Sequence, residues 1–210
     1  MKITPFCGGL LATNAYLIET PDGKILIDAP DETAAWLRDE LGIRPDHLLL
    51  THLHFDHILG AADVLEHAAP GCKSFAFAEK TSPDLTLETA FNGFSGTAFE
   101  VKSFQIDTVL AGTPTLEVAG LTFEIIHVPG HSPDSICFYL PEEKRLFGGD
   151  VLMQGGVGRT DFPHGDAALL ASGIRDKILP LGDDVRVYPG HGPETTVGNE
   201  QQTVKMLLGV

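Results

Sequence analysis

Along the chain, short apolar runs alternate with polar turns at two distinct periods. Residues 15 to 19 (Ala-Tyr-Leu-Ile-Glu) and 24 to 28 (Lys-Ile-Leu-Ile-Asp) are apolar and β-branched and flank Pro21-Asp22-Gly23, which predicts a hairpin. From Asp31 to Leu41 the period lengthens: acidic residues lead, Ala34, Leu37 and Leu41 share one helical face, and Gly42 follows as a stop. Trp36 is expected to pack that helix onto the sheet. The run His47 to Leu50 predicts a buried strand, Ile58 to Ala68 a helix with His57 at its start, and Lys73 to Ala78 another strand. Two further hairpins are expected, Thr115–Val118 with Leu121–Val128 across Ala119-Gly120, and Ile136–Leu140 with Lys144–Phe147 across Pro141-Glu142-Glu143. Asp166 to Leu179 reads as a helix, Val185 to Tyr188 as a strand and Asn199 to Leu208 as a closing helix. Residues 79 to 107 follow neither period, and Phe91, Phe94 and Phe99 there either fold the insertion on itself or line a substrate entrance. Two batches of strands with helices interspersed define an α/β (α+β) class.

Composition narrows the function classes. A chain of 210 residues with 43% hydrophobic and 20% charged positions suits one globular domain, residues 1–210. A formal net charge of -15 argues against a nucleic-acid partner, whose phosphates need a basic face. No run approaches the roughly 18 apolar residues of a membrane span, and the amino terminus is a poor signal peptide. A cytoplasmic protein with no membrane partner is the expectation. Cys7, Cys72 and Cys137 are odd in number and widely spaced, so they read as incidental thiols rather than a disulfide framework.

The candidate chemistry centres on Thr51-His52-Leu53-His54-Phe55-Asp56-His57. Neutral imidazoles and a carboxylate suit zinc, iron and manganese. If the preceding run is a strand, alternation points His52 and His54 the same way, while Asp56 and His57 face the same space after the chain has turned. Three further ligand types each follow an apolar run: His131 in Pro-Gly-His-Ser, Asp150 in Gly-Gly-Asp and His191 in Pro-Gly-His-Gly. Strand ends that deliver His, Asp and His to one sheet edge assemble a site from distant sequence. Asp28 ends a predicted strand, where it is either a turn residue or a partner that orients a ligand. His127 is expected in the core or behind the ligands, and His67 at a helix end.

The set THLHFDH, PGHS, GGD and PGHG, in this order, resembles the metallo-β-lactamase fold superfamily. The tracts LFGGDVLMQGGVGRTDFPHGD and YPGHGPETTVGNE are similar to its glyoxalase II (hydroxyacylglutathione hydrolase) branch, especially the shorter bacterial relatives. The resemblance implies a four-layer αββα sandwich with metals at one edge of the two sheets. It implies that His52, His54 and His131 hold one metal, that Asp56, His57 and His191 hold a second, and that Asp150 bridges them. The implied cofactors are two divalent metal ions, zinc first, with iron or manganese as alternatives. The implied reaction is hydrolysis of an acyl thioester such as S-lactoylglutathione, a small-molecule, glutathione-derived partner; the expectation departs from the longer glyoxalase II enzymes in having no C-terminal helical glutathione-binding domain.

Two metals can lower the pKa of shared water from 15.7 to near 7 and stabilise the oxyanion of a thioester under attack. Asp56 is the candidate catalytic residue, ligating a metal and orienting that water. Arg159, a few residues past Asp150, is the candidate substrate-binding residue. It either grips a carboxylate through its fork or braces its loop against Asp161. The alternatives are the persulfide dioxygenase branch, which resembles glyoxalase II, shares GRTDF and holds one iron through the positions matching His52, His131 and Asp150, and another hydrolase of the fold such as a lactonase.

Overall fold

The apolar runs near the amino terminus build the first of two sheets. In the computed structural model, which describes residues 1–78, 86–96 and 98–208, β1 (Lys2–Gly8), β2 (Thr13–Thr20) and β3 (Gly23–Ile27) are antiparallel neighbours. β4 (His47–Leu49), β5 (Lys73–Ala76) and β6 (Thr108–Val109) then add in parallel, giving a six-stranded sheet in sequence order. Parallel neighbours need crossovers, and helices supply them. α1 (Thr33–Ala35), continued as a π-helical Trp36–Leu41, links β3 to β4, and α2 (Phe55–Ile58) and α3 (Ala61–His67) link β4 to β5.

One face of this sheet sends Leu17, Leu26, Leu48 and Leu50 into a core with Trp36, Leu37, Ile58 and Val64. Each fully buried aliphatic side chain of that kind contributes about 1.5–3 kcal/mol. Trp36 also stacks on Phe6, with ring centroids 4.8 Å apart. Because β3, β4 and β5 run the same way, Asp28 and residues 51–57 leave neighbouring carboxyl ends at one edge, where open α/β sheets gather ligands.

The second sheet has the order β14-β13-β10-β9-β8-β7. Its strands are β7 (Thr115–Val118), β8 (Leu121–His127), β9 (Ile136–Leu140), β10 (Arg145–Gly149), β13 (Arg186–Pro189) and β14 (Thr195–Thr196). β9 is antiparallel to both β8 and β10, and β13 is parallel to β10, so β8, β10 and β13 share a direction. Their carboxyl ends lead to His131, Asp150 and His191. A small hairpin, β11 (Leu152–Met153) with β12 (Gly156–Val157), follows β10. After the predicted helix at 166, found as α5 (Ala167–Gly173) capped by the Asp166 carboxylate and extended by a π-helical Ile174–Ile178, Leu170, Ile174 and Ile178 pack with Val128, Leu146 and Val187. α6 (Val197–Leu208) closes the chain. Internal packing divides the chain into two compact units, Met1–Ala111 with Glu117–Gly120, and Gly112–Leu116 with Leu121–Val210.

Several expectations shift in detail. The helix predicted from Ile58 is interrupted between Ile58 and Ala61, where the Ala29 amide donates to the His57 carbonyl at 2.8 Å and the Gly60 amide donates to the Ala29 carbonyl at 2.9 Å; Gly60 lies so close to Pro30 that a Cβ there would be 2.3 Å from its carbonyl oxygen. His57 therefore sits inside α2 rather than at a helix start. The insertion carries a helix, α4 (Glu88–Ser95), and its phenylalanines fold inward: Phe91 and Phe99 lie 4.7 and 5.3 Å from the Phe55 ring. The side chain of Phe94 lies outside the described residues. His127 is half-exposed rather than core, with Nε2 2.9 Å from the Pro133 carbonyl. The three cysteines are free. Among the described residues no helix is long and apolar enough to cross a membrane.

Candidate metal centre

In the first unit the ligand-type residues are organised by Asp28. It leaves β3 with a positive φ of 57° and lies buried. Its Oδ1 accepts the Thr51 amide at 2.8 Å, and its Oδ2 accepts the Thr51 hydroxyl and the His57 Nδ1, each at 2.8 Å. A carboxylate only accepts, so His57 carries its proton on Nδ1 and presents Nε2 as the lone-pair nitrogen. The Thr51 hydroxyl, spending its hydrogen on Asp28, accepts in turn from His52 Nδ1 at 3.1 Å. That fixes the same tautomer in His52. The rings of His52, His54 and His57 are buried, with His54 and His57 centroids 4.6 and 4.2 Å from that of His52. Asp56 joins them: its Oδ2 is 3.7 Å from His57 Nε2 and accepts the Thr13 hydroxyl at 2.8 Å.

The second unit brings His131, Asp150 and His191 together. His131 follows Gly130, whose φ of 131° and close approach to Leu170 and Asp166 exclude a side chain. Its Nδ1 donates to the Arg159 carbonyl at 2.8 Å, so Nε2 is again the lone-pair nitrogen. Asp150 follows Gly149, which adopts a φ of 48° and whose carbonyl receives the Gly190 amide at 2.8 Å, tying the Asp150 turn to the loop of His191. Asp150 Oδ2 is 3.4 Å from His131 Nε2 and 3.4 Å from His191 Nε2.

These spacings test whether the residues suit a metal. Two ligand atoms each about 2.1 Å from a tetrahedral ion lie about 3.4 Å apart. Asp150 Oδ2 holds that spacing to both imidazoles, and in His52, His57 and His131 the Nδ1 hydrogen bond leaves Nε2 for coordination. A donor set of imidazoles and carboxylates so prepared fits a divalent transition metal. Thiolate chemistry at Cys137 and Cys72 is a poor alternative: burial pushes the Cys137 thiol up to about 12 and the Cys72 thiol up to about 11, far from thiolate at neutral pH.

Arg159 is placed differently. Its guanidinium forks onto Asp161 with two bonds of 2.7 Å and lies 3.8 Å from the centre of the Phe162 ring. Its backbone orients His131 while its side chain is exposed. Sequence reasoning missed Thr13 and Gly158. A Cβ on Gly158 would lie 2.0 Å from the Asp150 carbonyl oxygen and 2.9 Å from His131 Cβ, so only glycine packs there. The glycine is visible in GVGRTDF, but its reason is a tertiary contact.

Residues 8–191 match the metallo-beta-lactamase superfamily. The chain belongs to that superfamily. Its α+β class and metallo-β-lactamase fold are those expected from the sequence. Among similar proteins is the hydroxyacylglutathione hydrolase GloC of Haemophilus influenzae, 39% identical over 178 residues, covering 80% of this chain and 79% of that protein. The mitochondrial persulfide dioxygenase ETHE1 of Homo sapiens is 32% identical over 204 residues, covering 93% of this chain and 71% of that protein. A solved structure of TTHA1623 in a di-iron-bound form superposes with a TM-score of 0.82 at 34% identity, covering 97% of this chain and 100% of that one. The metallo-β-lactamase fold binds divalent metals, and the chain stands with the metallo-hydrolases of the superfamily.

Proposed function

We propose that the protein is a thioester hydrolase of the glyoxalase II type, acting in the cytoplasm on a small, glutathione-derived acyl thioester such as S-lactoylglutathione. His52, His54 and His131 would hold one divalent ion, Asp56, His57 and His191 a second, and Asp150 both, with zinc as the metal. The observation that carries the reading is the equal 3.4 Å spacing of Asp150 Oδ2 from the Nε2 atoms of His131 and His191, which suits a carboxylate shared by two ions. The likeness to GloC supports the choice of thioester.

Bound metal supplies Lewis acidity, acidifying water and stabilising the negative charge that develops on the substrate carbonyl oxygen. Asp56 is the proton acceptor. Its carboxylate, oriented by the Thr13 hydroxyl, would orient the attacking water, take its proton as the C–O bond forms and return it to the thiolate sulfur as the C–S bond breaks. Asp28 keeps the His57 proton on Nδ1 throughout. Arg159 binds a carboxylate of the thiol portion. Its present partner, Asp161, forms an exposed ion pair with it, with side chains 56% and 67% accessible, and water screens such a pair, so exchanging Asp161 for a substrate carboxylate costs little.

The test is an assay of S-lactoylglutathione in a closed vessel with an oxygen electrode. The reading expects acid and thiol in equal amounts with no oxygen consumed. Oxygen uptake on glutathione persulfide, with thioesters untouched, would instead support the dioxygenase reading that the likeness to ETHE1 favours.

A further inference from the structure

We infer that Thr13 is a positioning residue for the metal site on the Asp56 side, an inference that rests on the reading of Asp56 as ligand and proton acceptor. Thr13 opens β2 and pairs with Gly8 at the end of β1. The tip between them turns through Gly9 and Ala12, both at positive φ. Gly8 is pressed against the Asp31 backbone, where a Cβ would lie 2.4 Å from the carbonyl oxygen. This seating buries Thr13 to 1% exposure and brings its hydroxyl 2.8 Å from Asp56 Oδ2, across 43 positions of sequence.

A hydroxyl so placed has a chemical consequence. Asp56 only accepts, so Thr13 donates, and the donated hydrogen fixes the plane of the carboxylate and occupies a lone-pair direction on Oδ2. The β-branched side chain has few rotamers, so the donor is rigid. On its other flank Asp56 is held through its neighbour Phe55, packed against Phe91 and Phe99, and Asn92 clamps Phe99 with bonds of 2.6 and 2.8 Å to its backbone. Carboxylate ligands held by outer partners lose about 10- to 100-fold in metal affinity or activity when the partner is removed.

The experiment is a zinc titration of apoprotein under chelator competition, with turnover and KM measured in parallel, on wild type, Thr13→Val, Thr13→Ser and Asp56→Asn. Valine keeps the shape and removes the donor; serine keeps the donor. The expected result is that Thr13→Val weakens one zinc equivalent by about 10- to 100-fold, leaves the other unchanged, lowers turnover with little effect on KM, and is rescued by serine. Equal zinc isotherms for Thr13→Val and wild type overturn the inference, as does a serine variant as weak as valine or a uniform weakening of both equivalents. If Asp56→Asn leaves both isotherms intact, the assignment of Asp56 fails and the inference falls with it. If Asp56→Asn weakens one equivalent and Thr13→Val does not, the ligand assignment stands and only the inference fails.

Discussion

Replacing Asp28 with asparagine isolates the proton arrangement on which the ligands proposed in the first unit depend. The aspartate accepts hydrogen bonds from the Thr51 amide, the Thr51 hydroxyl and His57 Nδ1, all at 2.8 Å, at a residue only 2% exposed. Asparagine keeps one acceptor for the Thr51 amide but turns an NH2 toward His57 Nδ1, setting donor against donor. The imidazole relieves the clash by moving its proton to Nε2, the nitrogen needed for metal. A hydrogen bond to a charged group is worth about 1.5–3 kcal/mol, which corresponds to roughly a ten- to hundredfold loss of affinity. The general cost of removing a partner behind a metal ligand is about the same 10- to 100-fold. Asp28→Asn should therefore weaken the metal bound through His57 by that factor in a chelator-competition titration. An Asp28→Asn protein that binds metal as tightly as wild type, with unchanged turnover, would refute the proton assignment.

Other consequences are open to direct measurement. Gly158→Ala should lower metal content and melt early by about 1–3 kcal/mol of overpacking, because its Cβ meets the Asp150 carbonyl and His131; thermal denaturation of apo and loaded protein would reveal it. Arg159→Ala should raise KM for a carboxylate-bearing thioester about ten- to hundredfold, with turnover and metal content nearly unchanged, and Arg159→Lys should restore only part. An uncharged thioester should barely respond, and equal loss on both substrates would make Arg159 a brace for its loop. The Ser74 amide, and then the Ser74 hydroxyl, hold the Asp107 carboxyl below its usual value of 3.8. Its contribution is thus fully present above the unfolded value and is lost as pH falls below 3.8 through the lower folded one, so Asp107→Asn should flatten the acid end of the apoprotein stability curve. An acid limb identical to wild type would rule that contribution out.

The ligand-type residues were legible because each follows an apolar run that forms a strand, and strands of common direction send their carboxyl ends to one edge. The four motifs carry both the residues and the turns that deliver them. What stayed hidden depends on contacts far apart in sequence. β1 has a half-exposed pattern and carries Pro5, which an edge strand tolerates but which weakens any strand signal. The break at Gly60 goes with hydrogen bonds to the Ala29 backbone, and the glycine at 158 is set by Asp150, neither of which a local pattern records. Thr13 looked like one more polar residue before a strand, yet it meets Asp56. The forked pairing of Arg159 with Asp161 needed only a spacing of two, so it was visible as one of two readings.

The central proposal, two metal ions per chain, is tested most directly by counting metal in freshly purified protein by elemental analysis. The account predicts close to two transition-metal ions per chain, zinc foremost, falling to about one in His191→Ala. A single iron per chain, unchanged by His191→Ala, would contradict it.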